Sequence, residues 1–151
     1  MEFEEITKEF LINKKFMELN KYIAHGNTSV FTHILNVSYL CYKYAVSHKN
    51  KKYDLKSLVR GAMMHDMYFY DWHNKDHKRP HGFHHSKVAY QNAKELFLIN
   101  DIEKDIILKH MFPLTIFKIP RYKESWLVQK MDKKATLKEM KNKQINFSLL
   151  D

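Results

Sequence analysis

The chain has 151 residues, 44% apolar and 28% charged, and its 26 Lys and Arg against 17 Asp and Glu give a formal net charge of +9. That length predicts one domain over 1–151, while three Gly and three Pro leave little for hairpin turns and argue against a β-sandwich. A single cysteine, Cys41, excludes an internal disulfide or a Cys-based zinc site and points to a reducing, cytoplasmic setting.

Helical periodicity dominates. The N-terminus carries acids where a signal segment would carry lysines, and no run approaches about 18 apolar residues, so no membrane span is expected. Residues Phe3 to Tyr22 form a mixed-charge amphipathic segment, with Phe3, Ile6, Phe10, Leu11, Phe16 and Leu19 as its apolar positions. Gly26 breaks the chain. Thr28 or Ser29 caps a second helix running to about His48, because a hydroxyl there accepts an orphan backbone N–H. Asp54 caps a third helix through about Met67. Residues Tyr70 to Phe83 read as a polar loop, with Pro80 and Gly82 as helix breakers. A fourth helix spans about His84 to Leu98. Asn100 and Glu103 form a capping-box pair that opens a fifth helix, which Pro113 stops. Pro120 precedes a last helix, about Tyr122 to Met140. The expected fold is all-α, about six helices with short connections and one long loop, and such a loop is often functional.

Ten histidines are many for this length, and their placement matters more than their number. His33 shares a helix face with Val30, Val37 and Leu40. His65 and Asp66 follow Ala62, Met63 and Met64. His110 follows Ile106 and Ile107, and Asp132 lies between Val128 and Ala135 at i−4 and i+3. Taken singly, a histidine on an apolar face is more often a core residue bonded to a carbonyl, and Asp132 alone reads as a surface residue. Asp66 resists that reading, since an unpaired carboxylate beside a core run is costly. Two buried aspartates with several imidazoles point to one compensating object, a divalent metal; this donor mixture suits Fe, Mn, Zn, Co or Ni.

The order His33, His65-Asp66, His85, His110, Asp132 resembles the HD-domain superfamily of metal-dependent phosphohydrolases, whose pattern is H…HD…H…H…D on an all-α scaffold. The stretches HGNTSVFTHILNVSYL, LVRGAMMHDMYFYDWH, HHSKVAYQNA, IILKHMFPLT and VQKMDKK carry the resemblance over nearly the whole chain. It looks closest to small, single-domain bacterial members. The resemblance implies one or two divalent metal ions (Fe, Mn, Co, Ni, Mg or Zn). His33, His65, Asp66 and Asp132 would hold one, and Asp66 would bridge to a second held by His85 and His110. In such a site the cations sit about 3.5–4 Å apart, and a water between them becomes hydroxide near neutral pH and attacks phosphorus. Members that hydrolyse cyclic dinucleotides carry a Lys three residues after the Asp and a GYP signature; single-metal members that hydrolyse deoxynucleotide monophosphates carry a Glu at that place. Here Phe69 occupies it and no GYP occurs. The nearest acid is Asp71, two residues on, a candidate for acid/base work. His85 and His110 favour two metals over one.

The segment DWHNKDHKRPHGFHH holds His73, His77, His81, His84 and His85. One continuous helix would align His73, His77, His81 and His85 as a zinc-binding face, but Pro80 and Gly82 oppose it. His85 is the expected ligand, with Ala89 matching the small residue that follows this His in the family; His84 is the alternative. His73 and His81 are expected to line the substrate pocket, where an imidazole binds phosphate or donates a proton. His77 reads as solvated. Basic residues cluster between Lys43 and Arg60 and between Lys118 and Lys143, mostly as a solvated face. Lys109 and Lys133, beside His110 and Asp132, are candidates for substrate phosphate, and Tyr70 and Trp72 either stack a base or join the core. The expected catalytic set is Asp66, Asp71, His73, His81 and Lys133. The expected activity is hydrolysis of a small phosphorylated substrate, such as a nucleotide or phosphate ester. Two other readings stand beside it: a non-catalytic metal-stabilised domain binding nucleic acid or a nucleotide, and a di-iron oxygenase using the same six ligands. Nucleic acid is the less favoured partner, because the basic tract lacks interleaved aromatics.

Overall fold

Caps and breaks along the chain set the positions of the helices. A computed structural model describes residues 1–71 and 81–141, the first three of the second stretch by backbone alone. α1 (Phe3–Leu11) buries Phe3, Ile6 and Phe10. The expected unbroken segment to Tyr22 is interrupted, because the Asn13 side chain accepts the Phe16 N–H and starts α2 (Lys14–Met17). A short side-chain acceptor of this kind competes with helix continuation. A 3-10 turn, Glu18–Lys21, follows. Phe16 and Leu19 are buried as expected, whereas Leu11 is exposed. Two short antiparallel strands that the sequence reading did not anticipate come next, β1 (Ile23–His25) and β2 (Thr28–Ser29). Gly26 joins them at φ +50, a left-handed conformation that glycine adopts without steric penalty.

Ser29 accepts the Thr32 N–H and opens α3 (Val30–Ser47). Asp54 accepts the Ser57 N–H and opens α4 (Leu55–Met64). That helix stops short of the expected Met67, and Tyr68 N–H donates to the Asp66 carbonyl in the turn beyond it. α5 (His81–Leu96) starts earlier than the expected His84 and runs through Gly82. An internal Gly costs only about 1 kcal/mol against Ala, so Gly82 does not exclude a first turn. Pro80 lies outside the described residues. α6 (Asp101–Lys109) carries the expected reciprocal cap between Asn100 and Glu103. α7 (Lys123–Met140) closes the set.

The fold is all-α apart from the small hairpin. Its core joins α3, α4, α6 and α7 through buried residues such as Ile34, Val37, Leu58, Met63, Ile107 and Val128. α4 and α6 pack tightly at Gly61, where a Cβ would stand 3.1 Å from both Cβ and Cγ2 of Ile106. Arg60 is buried rather than part of a solvated basic face. Its Nε donates to Glu103 at 2.8 Å, its Nη2 donates to the Leu98 carbonyl at 2.6 Å, and Glu9 pairs with it from α1. Asp105 performs a similar tie between α6 and α7. Tyr122 offers α7 no side-chain cap. The Asp105 carboxylate instead accepts the Arg121 and Tyr122 N–H groups at 2.9 and 3.3 Å and the Ser125 hydroxyl at 2.6 Å. No helix among the described residues is long and apolar enough to cross a membrane.

Candidate metal centre

Five helices deliver six side chains to one buried place. His33 comes from the inner face of α3, and His65 and Asp66 from the turn that ends α4. His85 comes from α5, His110 from the end of α6, and Asp132 from the middle of α7. Two groups of donor atoms result, each within 4.8 Å of one another: His33, His65, Asp66 and Asp132 in one, Asp66, His85 and His110 in the other. The two carboxylate oxygens of Asp66 face different groups. Oδ2 lies 3.3 Å from His33 Nε2 and 3.4 Å from His65 Nε2. Oδ1 lies 3.1 Å from both His85 Nε2 and His110 Nε2. Asp132 Oδ1 lies 2.8 Å from His33 Nε2 and 3.6 Å from His65 Nε2.

The far nitrogens fix the ring orientations. His65 Nδ1 donates to the Ala62 carbonyl at 2.6 Å and His110 Nδ1 to the Ile107 carbonyl at 2.8 Å. A carbonyl only accepts, so the proton belongs on Nδ1 and Nε2 is left aimed inward. His85 Nε2 and His110 Nε2 stand 2.8 Å apart, a spacing at which they can share at most one proton. His65 Nε2 and Asp66 Oδ1 are buried and find no hydrogen-bond partner among the described residues. Converging acceptors without donors are what a cation compensates, so this donor set fits a divalent metal.

The electrostatics agree. Burial alone would push the carboxyl of Asp66 up, but the charge of His65 and the His110 and His33 imidazoles beside it hold it well below the usual range. Asp132 is likewise held down against burial, by the hydrogen bond from His33 and the charge of His65. His65 is raised to about 10 against its own burial, by the charges of Asp66 and Asp132. His33 is raised well above its ordinary value, despite burial, by Asp132, Asp66 and Glu139. Burial wins at His110, which is lowered. Protons on imidazoles thus offset the carboxylates, and a metal would compete for the same nitrogens.

All six expected ligand positions come together, and the member from α5 is His85 rather than the half-buried His84. Asp71 is exposed. His73, His77 and Trp72 lie outside the described residues; His81 opens α5, and its side chain lies outside them too. Lys133 is exposed, and its Nζ donates to the Phe112 carbonyl at 3.0 Å. Lys109 is engaged with Asp105 at 2.7 Å and so is not a free cation for phosphate. Tyr70 packs its ring 5.1 Å from that of Tyr68. Sequence reasoning missed three residues around His33. The His25 ring stands edge-on to it at 5.2 Å, Glu139 contacts its Nδ1, and Asn36 donates to Glu139. The available signals were i+7 spacing from Asp132 for Glu139 and i+3 spacing from His33 for Asn36.

A family model described as HD domain matches residues 30–137. No curated protein and no solved structure matches the chain.

Proposed function

Because the chain belongs to the HD domain family, most of whose members are metal-dependent phosphohydrolases, we propose that it is a single-domain dinuclear enzyme hydrolysing a small phosphorylated substrate, such as a nucleotide or phosphate ester. The observation that supports this reading is the position of Asp66, shared by two buried groups of donor atoms. In the proposed centre, His33, His65, Asp66 and Asp132 hold one divalent ion, and Asp66, His85 and His110 hold the other. Such a pair of ions supplies Lewis acidity toward phosphate oxygens and acidifies water near neutral pH.

The chain's own side chains would do the rest. Asp66 spaces the two ligand groups. The Nδ1–H bonds of His65 and His110 keep their rings from rotating out of line. Lys133, exposed beside Asp132, can leave the Phe112 carbonyl and hold an anionic substrate as a point charge. Asp71 is the nearest exposed acid along the chain for proton transfer to the leaving oxygen. The +9 charge favours anionic substrates in general.

The test is metal analysis of the purified protein, followed by a panel of phosphate mono- and diesters and nucleotides with Mn, Fe, Co, Ni, Mg or Zn supplied. Two ions per chain and metal-dependent phosphate release are expected. A fully loaded protein that releases no phosphate from any ester would overturn the hydrolase reading. Iron-dependent oxygen uptake in that protein would point to oxygenase chemistry instead.

A further inference from the structure

We propose that Glu139 is a positioning residue: it grips His33 from behind and makes the His33 side of the centre the tighter metal site. This rests on the metal-centre reading above. Glu139 is only 6% exposed. A carboxylate that deep is costly unless it is bonded. Its partners are few and specific. Oε1 and Oε2 lie 2.7 and 3.1 Å from His33 Nδ1, and Asn36 Nδ2 donates to Oε2 at 3.1 Å. Asp132 and Glu139 are seven residues apart on α7, two turns along one face, and they bracket the same imidazole. Asp132 meets its Nε2 at 2.8 Å and Glu139 its Nδ1.

The contrast with His65 and His110 carries the inference. His65 and His110 give their Nδ1–H to main-chain carbonyls. His33 gives its Nδ1–H to a carboxylate. A charged acceptor makes a stronger hydrogen bond and pushes electron density onto the ring, which makes Nε2 a better ligand. The donor sets point the same way. Among the described residues the His33 side has two carboxylates, Asp66 and Asp132, and the His85 side has one, Asp66. His25, His33 and Glu139 also lie close enough together to suggest a separate ion. Glu139 meets His33 at Nδ1, the ring nitrogen opposite the Nε2 that faces Asp66 and Asp132, so it bonds the ring from behind, and the His25 Nε2 meets Thr136 at 3.3 Å. Glu139 lies past the residues that the family model matches, so the family match assigns it nothing.

The experiment is zinc titration of the metal-free full chain against a competing chelator, for the native protein, Glu139→Gln and Glu139→Asp. The native chain should take up two ions with unequal affinity. Glu139→Gln should weaken the tighter ion by roughly 10–100-fold and leave the weaker one unchanged. Glu139→Asp keeps the charge but withdraws it by one methylene, and should fall between; it also serves if Glu139→Gln does not fold. The His33 Nδ1 proton in the NMR spectrum of the zinc-loaded protein should move upfield in Glu139→Gln, which general loosening of the fold would not produce. Native affinities in both variants would overturn the inference, as would equal losses at both ions together with lowered thermal stability. A native chain that binds no metal would overturn the metal-centre reading as well.

Discussion

Replacing Asp105 with alanine tests whether a side chain on one helix caps the next. The substitution leaves the Arg121 and Tyr122 N–H groups and the fully buried Ser125 hydroxyl without their acceptor. Loss of a helix cap costs about 1–2 kcal/mol. A buried donor left unmet costs about 1–3 kcal/mol. These amounts overlap, since the same groups enter both, and the partly exposed Lys109 adds little. The expected loss is about 2–4 kcal/mol, a large part of the roughly 5–15 kcal/mol that stabilises a typical domain. For a chain of this length that lowers Tm by roughly 4–16 °C. The assay is thermal and urea unfolding of the metal-free protein, followed by helical circular dichroism. A loss below about 1 kcal/mol would mean that water serves these donors as well as Asp105 does, and the capping argument would fail. Acid gives an independent check. Burial pushes the Asp105 carboxyl up, but Lys109, Ser125 and the two backbone N–H groups outweigh it and hold it below its usual range. A lowered folded value contributes stability that is present above the unfolded value of about 3.9 and is lost as pH falls through the folded one. Asp105→Asn should therefore flatten the loss of stability below about pH 4, and an unchanged acid profile would contradict the role.

Gly61→Ala gains about 1 kcal/mol of helix propensity but forces Ile106 aside, at about 1–3 kcal/mol. Net destabilisation in urea unfolding is expected, and a more stable variant would show that α4 and α6 are not tightly matched there. Asp66→Ala should abolish binding of both ions, read by elemental analysis; unchanged stoichiometry would contradict the shared carboxylate. Lys133→Ala should raise KM for an anionic ester several-fold with metal content unaltered. Metal loss with KM intact would instead give Lys133 a structural role through Phe112.

The caps at Ser29, Asp54 and Asn100 were legible because their signal is local: an oxygen, and an N–H three residues on. The six clustered residues were legible because each sits on or beside an apolar helical face, in an order that resembles a family. Ties across the fold were not. Asp105 caps a helix whose donors lie 16 to 20 residues downstream, a pairing that no window of sequence reveals. Arg60 sits among lysines and reads as surface, and only folding brings Glu9 and Glu103 to it. Glu139 shares helical phase with Asp132, yet the same spacing suits an exposed basic helix. Its meaning depends on His33, 106 positions earlier. The hairpin at Gly26 is too short to carry an alternating pattern. The start of α5 was misplaced because Gly82 was weighed as a helix breaker, although a glycine in a helix costs only about 1 kcal/mol against Ala.

Both α4 and α6 end at the residue before their histidine, and the two rings stand 4.8 Å apart. Each helix end carries the equivalent of about half a negative charge from its aligned peptide dipoles. Two such ends therefore close on the same spot as the carboxylates, and part of the negative potential belongs to the backbone. Substituting one imidazole leaves that part in place. In the proposed dinuclear centre, cations filling the cluster would offset this backbone potential and so favour an anionic substrate, which makes substrate affinity that rises with metal occupancy the expected behaviour.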